Sequence, residues 1–249
     1  VSKLILLRHG QSTANAAGEF TGWTDAALTE IRQLEAHKAA RLLHSADLLP
    51  DSIHTSVLWR SIHTAQIVAD DLGRSWLPVH RSWRLNERHY GALTTRKKSH
   101  VRLQVGTHQY RLWRRSFEAP PPPMPPDELE NLRADPRYAD LPHRTIPACE
   151  SLADVLTRLL PYWIDEIAAE LRHGGTPLVV AHGNSLRALV MHLDQLSPAQ
   201  VAGLNIPTGI PLCYDLDEML TSKHSGGHYL DPDTAESAAE AIAAEGEAG

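Results

Sequence analysis

Two short apolar runs along the chain each stop at a histidine followed by glycine. The first is Leu4-Ile5-Leu6-Leu7, ending in Arg8-His9-Gly10; the second is Pro177-Leu178-Val179-Val180-Ala181, ending in His182-Gly183-Asn184-Ser185. Apolar runs this short and this continuous read as parallel strands buried on both faces. Helical spacing of apolar residues is found over 29–43, with Leu34, Ala39, Leu42 and Leu43. It recurs over 61–72, over 154–172 with a bend expected at Pro161, and over 185–193. Further strands are predicted at 51–56, at 76–79 and near 211–216. Strands alternating with helices predict an α/β fold, a three-layer structure whose mostly parallel sheet carries helices on both faces. Such sheets bind ligands at the carboxyl ends of their strands, which is where both histidines are placed.

Residues 85–147 break the alternation. They are predicted to form an inserted lid segment over the carboxyl edge of the sheet, within a single α/β domain spanning 1–230. The run Pro120-Pro121-Pro122-Pro123-Met124-Pro125-Pro126 must be extended and reads as a rigid connector. Residues 231–249 are rich in Ala, Glu and Gly, with weak helical potential, and are predicted to be a mobile tail.

Composition narrows the class. The chain has 249 residues, of which 42% are hydrophobic, enough for one full core. Cys149 and Cys213 are far apart and lack metal-ligand spacing, so a reducing, cytoplasmic setting is expected. No apolar run reaches membrane-spanning length. Net charge is −6, yet from Arg81 to Arg115 there are ten Lys or Arg residues and one acid, Glu87. A basic cluster in an acidic protein suits a small polyanion better than a nucleic-acid track, and neither a nucleic-acid nor a membrane partner is expected.

A neutral histidine nitrogen can attack phosphorus and hold the phosphoryl group covalently, splitting one transfer into two. The phosphoryl oxygens then need a fixed cationic cradle. Arg8 stands beside His9. Arg60 follows Thr55-Ser56 and is predicted to open a helix, where amides help to bind an anion. His182 can donate to the same oxygens. The leaving alkoxide needs a proton, and Glu87, the one acid in the basic stretch, is the candidate. No Walker-type glycine loop is present, and metal-independent transfer is expected. Each residue also has a structural reading: His-Gly as a turn, Glu87 paired with Arg84 or Arg88, Asn184 and Ser185 as helix caps.

These residues bring a family into view. Leu7-Arg8-His9-Gly10, Phe20-Thr21-Gly22-Trp23, Thr55-Ser56 with Arg60, Trp83 to Gly91, Trp113-Arg114-Arg115-Ser116 with the proline run, Glu150-Ser151-Leu152, His182 to Arg187 and Asn205 to Pro211 carry it. With them the chain resembles the 2,3-bisphosphoglycerate-dependent phosphoglycerate mutases of the histidine phosphatase superfamily. The resemblance implies that His9 carries the phosphoryl group, that Arg8, Arg60 and His182 hold it with help from Asn15, Gly183 and Asn184, and that Glu87 moves the proton. It implies that Thr21, Gly22, Arg88, Tyr90, Lys98, Arg114, Arg115 and Asn184 grip the carboxylate and second phosphate of the substrate. The implied reaction interconverts 3-phosphoglycerate and 2-phosphoglycerate, in glycolysis and gluconeogenesis, with 2,3-bisphosphoglycerate as primer, no metal, and a homodimer or homotetramer as the assembly.

The segment Thr95 to Gln109 departs most from the family. Thr95-Arg96-Lys97-Lys98-Ser99-His100 stands where members have Gly-Leu-Asn-Lys-Ala-Glu, and the spacing assigns the ligand lysine to Lys98. Two other functions compete. In a phosphatase of the same superfamily, water would take the phosphoryl group from His9. In a noncatalytic binding protein, the basic stretch or the proline run would hold a partner.

Overall fold

The structure, a computed structural model, describes residues 2–27, 29–222 and 226–247. Six strands form one sheet in the order β3-β2-β4-β1-β5-β6. They are β1 (Ser2–Arg8), β2 (Ser52–Thr55), β3 (Val79–Arg81), β4 (Pro177–Ala181), β5 (Leu212–Leu216) and β6 (His228–Tyr229). The pairs β1·β4, β2·β4 and β2·β3 are parallel, and β5 and β6 add an antiparallel edge. The helices are α1 (Thr13–Ala16), α2 (Glu30–Ser45), α3 (Trp59–Asp71), α4 (Lys98–Arg115), α5 (Pro126–Arg133), α6 (Leu152–Tyr162), α7 (Ala168–Arg172), α8 (Gly183–Leu193), α9 (Pro198–Gly203) and α10 (Pro232–Glu247). No helix among the described residues is long and apolar enough to cross a membrane.

Strand residues alternate between two cores. Leu4 and Leu6 of β1 and Val179 and Ala181 of β4 meet α6, α7 and α8 on one face. Ile5, Leu7, Leu178 and Val180 meet α2 and α3 on the other. Both faces of the central strands are therefore apolar, which is why their sequences are near-continuous hydrophobic runs. Ser151 opens α6 with a capping box, its hydroxyl accepting from Asp154 N–H and the Asp154 carboxylate accepting from Ser151 N–H. Pro161 lies inside α6, and the chain widens into a π turn at Trp163–Ile167 before α7. The missing proline N–H removes one helical bond there, and the wider turn carries Trp163 and Ile167 into the core.

Two predicted elements differ. The strand expected at 76–79 begins only at Val79, because Trp76 is 72% exposed and Leu77 packs into the core from a turn, donating its N–H to Arg74 O. Within 231–249, read as a weakly helical, mobile tail, Pro232–Glu247 forms α10, with Ala235 buried and Ile242 at the rim of the main cleft. Local propensity in fact favours this helix: Ala and Glu are strong helix formers, and the Asp231 carboxylate accepts from Thr234 N–H at 3.3 Å at its start.

Residues 85–147 hold α4, α5 and several single turns. They have small cores of their own, shared with the segment after α1. Phe20 joins Leu93, Val101 and Tyr110, and Trp23 joins Leu129, Tyr138 and Ile146. The proline run is extended, with Pro125 at φ −53° and ψ 143°, and is pinned by Ala92 N–H to Pro122 O and Met124 N–H to Ala148 O. Gly91 makes this close approach possible. Its φ is +57°, and a Cβ there would lie 2.0 Å from Pro122 O.

Gly91 can be set against Gly73, which has φ +65° but no atom within 4 Å of a Cβ. Gly73→Ala carries only the backbone cost, about 1 kcal/mol. Gly91→Ala adds overpacking and should cost about 3–4 kcal/mol in urea denaturation. Equal losses would contradict the close approach.

Candidate active site

The site is set by the pairing of β1 with β4. Arg8 is opposite Ala181 in parallel register, and His9 N–H donates to Ala181 O at 3.0 Å. The next residues are His9 and His182, whose rings lie edge to face with centroids 4.8 Å apart. Both are buried. His9 Nδ1 is 2.5 Å from Gly10 O, a carbonyl that can only accept, so the ring carries its hydrogen on Nδ1 and a lone pair on Nε2. Arg60 Nε, 3.3 Å from that nitrogen, donates toward it. Burial first, then the charges of Arg60 and Arg8, hold the His9 pKa well below the ordinary histidine value. The ring is thus neutral, with the Nε2 lone pair accepting from Arg60.

Arg60, in the first turn of α3, is buried and anchored by Nη1 to Thr24 O at 2.9 Å and Nη2 to Gly22 O at 2.8 Å. Burial pulls its pKa to about 10, so it stays charged at neutral pH. Arg8 Nη1 donates to Ile206 O at 2.7 Å. His182 Nε2 is 2.8 Å from Ser56 Oγ, and its Nδ1 is a buried nitrogen with no partner in the protein. Burial, reinforced by Arg60, keeps this ring neutral as well.

Glu87 does not pair with Arg84 or Arg88. Its Oε1 accepts from two backbone groups, Arg88 N–H at 2.8 Å and Asn184 N–H at 3.1 Å, which ties the insertion to the start of α8. The loop carrying Glu87 is held from below by a buried ion pair. Arg158 of α6 meets Glu150 with Nε to Oε1 at 2.5 Å and Nη2 to Oε2 at 3.0 Å. It also donates to the carbonyls of Arg84, Asn86 and Glu87, while Glu150 Oε2 accepts from His89 N–H.

A cleft with a free volume of about 100 Å³ opens beside His9. Six cations line it, Arg8, Arg60, Lys98, Arg114, Arg115 and Arg187, against two carboxylates, Glu19 and Glu87. Thr21, Gly22, Tyr90, Gly183, Asn184, Phe20, Asn205, Ile206 and Ile242 complete the wall. Lys98 reaches the cleft, whereas its neighbour Lys97 is exposed outside it. His182 lies behind His9. Arg88 is also behind the wall, with its guanidinium 4.6 Å from the Tyr90 ring centre and Nη2 donating to the carbonyls of Trp113 and Arg114. Asn15 is in α1, and its side chain lies outside the described residues.

Several wall residues were missed by sequence reasoning. Arg187 follows Asn184 by three positions on α8, hence on the same face, and that spacing was a usable signal. Its Nη1 donates to Asn184 Oδ1 at 2.8 Å, and Asn184 Nδ2 in turn donates to Tyr90 Oη at 3.0 Å. Asn205 accepts from Arg115 Nη1 at 2.8 Å. Ile242, an apolar residue in a segment of low complexity, offered no chemical signal.

Residues 4–210 match the model of the histidine phosphatase superfamily (branch 1), and the chain belongs to that superfamily. It is 52% identical over 246 residues to a protein of Thermobifida fusca, covering 99% of this chain and all of the relative. It is 53% identical over 243 residues to one of Rhodococcus jostii, covering 98% of this chain and 96% of the relative. Both carry the name 2,3-bisphosphoglycerate-dependent phosphoglycerate mutase, and within the superfamily the chain belongs to that family. Solved structures with the same fold include a mycobacterial glucosyl-3-phosphoglycerate phosphatase, with TM-score 0.66 and 24% identity over 86% of this chain and 93% of that one. Another is the alpha-ribazole phosphatase of Shigella flexneri, with TM-score 0.65 and 22% identity over 91% of this chain and 96% of that one.

Buried neutral histidines make stability depend on pH. Burial, with Arg158 nearby, pushes His89 down to about 4, while His9 and His182 are also depressed. In the unfolded chain all three titrate near 6.5. Their contribution is therefore full above pH 6.5 and is lost as pH falls toward 4, with His89 alone accounting for about 3 kcal/mol. Urea midpoints should fall between pH 7 and 5, and His89→Gln should flatten that decline. A midpoint constant across this range would contradict the buried, neutral rings.

Proposed function

We propose that this chain interconverts 3-phosphoglycerate and 2-phosphoglycerate through a phosphoryl group carried on His9 and primed by 2,3-bisphosphoglycerate. One observation carries the reading. A cleft lined by six cations and two carboxylates has a neutral, aligned histidine at one end and Arg114, Arg115 and Lys98 among its other cations. Buried polar atoms without a protein partner lie on its wall, Thr21 Oγ1 and Arg187 Nε, and a third, His182 Nδ1, sits behind His9. A buried donor left unmade is costly, so these atoms fit a ligand rich in acceptor oxygens.

The residues divide the work. His9 Nε2 forms a bond to phosphorus as the bond from phosphorus to the leaving alkoxide breaks. Gly10 O, accepting from Nδ1–H, fixes the ring tautomer and stabilises the positive charge that develops. Arg8, Arg60 and His182 balance the charge on the phosphoryl oxygens. Glu87 gives its proton to the leaving alkoxide. In the opposite half-transfer it removes the proton of the attacking hydroxyl while the Nε2–phosphorus bond breaks. Tyr90, Lys98, Arg114, Arg115 and Asn184 hold the other end of the substrate, with Thr21 and Gly22 along the wall and Arg88 acting from behind Tyr90. Insertion and α10 together shield the phosphorylated ring from water, which separates a mutase from a phosphatase. We further propose a homodimer or homotetramer, with the unpaired edge of β3 and the exposed Trp76 as the surface available for self-association.

A coupled assay from 3-phosphoglycerate tests the reading. Turnover should require trace 2,3-bisphosphoglycerate and continue in a chelator. Glu87→Gln should lower kcat about 10²–10⁴-fold, and His9→Ala should abolish turnover. Release of inorganic phosphate faster than formation of 2-phosphoglycerate would instead favour the phosphatase reading, which the phosphatase fold neighbours keep in view.

A further inference from the structure

The hydroxyl groups behind His182 form a closed hydrogen-bond arrangement with one undecided proton. Ser56 Oγ lies 2.8 Å from His182 Nε2 and 2.5 Å from Ser61 Oγ, and it accepts from Leu58 N–H at 3.1 Å. Ser61 Oγ also reaches Leu58 O at 3.0 Å. Ser56, Ser61 and His182 are all buried.

Each oxygen has one hydrogen to give and two lone pairs. If Ser56 donates to Ser61, its two lone pairs accept from Leu58 N–H and from His182 Nε2–H. The neutral ring then presents a bare lone pair at Nδ1, which would repel a phosphoryl oxygen. If Ser56 donates to His182 Nε2, Ser61 donates to Ser56, and the ring hydrogen sits on Nδ1. Leu58 O does not suffer, since it also accepts from the backbone N–H groups of Ser61 and Ile62. In the second arrangement the unpartnered Nδ1 becomes a donor beside His9, whose ring centre is 4.8 Å away.

We infer that Ser56 is a positioning residue: it donates its hydroxyl hydrogen to His182 Nε2 and thereby holds this ring as the Nδ1–H tautomer, with its N–H offered to the phosphoryl oxygens. Ser61 tunes the arrangement by competing for the same hydrogen. The assignment rests on the His9 phosphoryl-transfer reading and adds a residue to it. Only hydroxyl rotations and the choice of ring tautomer are involved, so no proton leaves the site.

The two serines should behave oppositely. Ser56→Ala leaves Nε2 without its donor and frees the wrong tautomer, so kcat should fall about 10- to 100-fold, with KM for 3-phosphoglycerate changed less than about threefold, the scale expected for weakening one preorganised donor. Ser61→Ala leaves Ser56 no acceptor but His182, so kcat should stay within about twofold of the parent or rise. Nitrogen-15 NMR of the histidine rings, recorded with inorganic phosphate bound, should show His182 protonated at Nδ1 in the parent and in Ser61→Ala, and at Nε2 in a substantial fraction of Ser56→Ala. A folded Ser56→Ala with parental kcat would overturn the inference, as would equal losses in the two variants. If Ser56→Ala does not fold, the parent spectrum decides alone, and Nε2–H in the phosphate complex would sink the assignment. Absence of mutase turnover in the parent would count against the function reading, while the spectrum would still report the tautomer.

Discussion

The parallel register of β1 and β4 is the constraint on which the rest depends. Arg8 opposite Ala181 places the next residue of each strand, His9 and His182, side by side at the carboxyl edge. A slip of one residue would turn Leu4, Ile5, Leu6 and Leu7 to the wrong cores and separate the rings at once. The register is held by apolar burial on both faces, so the same packing that stabilises the sheet also sets the distance between His9 and His182. Two rings set directly at the ends of paired strands need no mobile loop to bring them together.

Around this fixed pair the charges are arranged in two ways. The Glu150–Arg158 pair is satisfied within the protein, each partner also bonding the backbone of the loop that carries Glu87. Such a pair contributes specificity of position more than net stability, because its desolvation cost offsets much of its attraction. The cations of the cleft are different. They have carbonyl and amide acceptors but too few carboxylates, and burial brings the pKa of Arg187 to about 9. The site therefore carries an excess positive charge that a polyanionic substrate neutralises. Asn184 links the two sets, its backbone N–H on Glu87, its amide between Arg187 and Tyr90.

Much of this was legible in the sequence, for physical reasons that differ by element. β1 and β4 were readable because strands buried on both faces are continuous apolar runs, and the Arg8-His9 and His182-Gly183 turns follow them directly. β3 was misplaced because Trp76 and Leu77 look like strand residues, and only the structure shows the first in solvent and the second packing from a turn. The helix α10 was underestimated although its signal was local: Ala and Glu are strong helix formers, and the low complexity of the segment was given more weight than that propensity. Glu87 was found as the one acid in a basic stretch, but its clamp to Asn184 joins residues 97 positions apart and has no local signature. Ser56 was noticed as part of a pattern, and its contact with His182 crosses 126 positions. Roles set by long-range hydrogen bonds are the ones that sequence conceals.

The central claim is that His9 Nε2 carries the phosphoryl group between half-transfers. Rapid mixing of the enzyme with 2,3-bisphosphoglycerate, followed by alkaline quench and peptide mass spectrometry, tests it directly. The account predicts an acid-labile, base-stable phosphoryl group on His9, formed at least as fast as turnover. Turnover with no phosphoryl group on His9, or with the label on another residue, would contradict it.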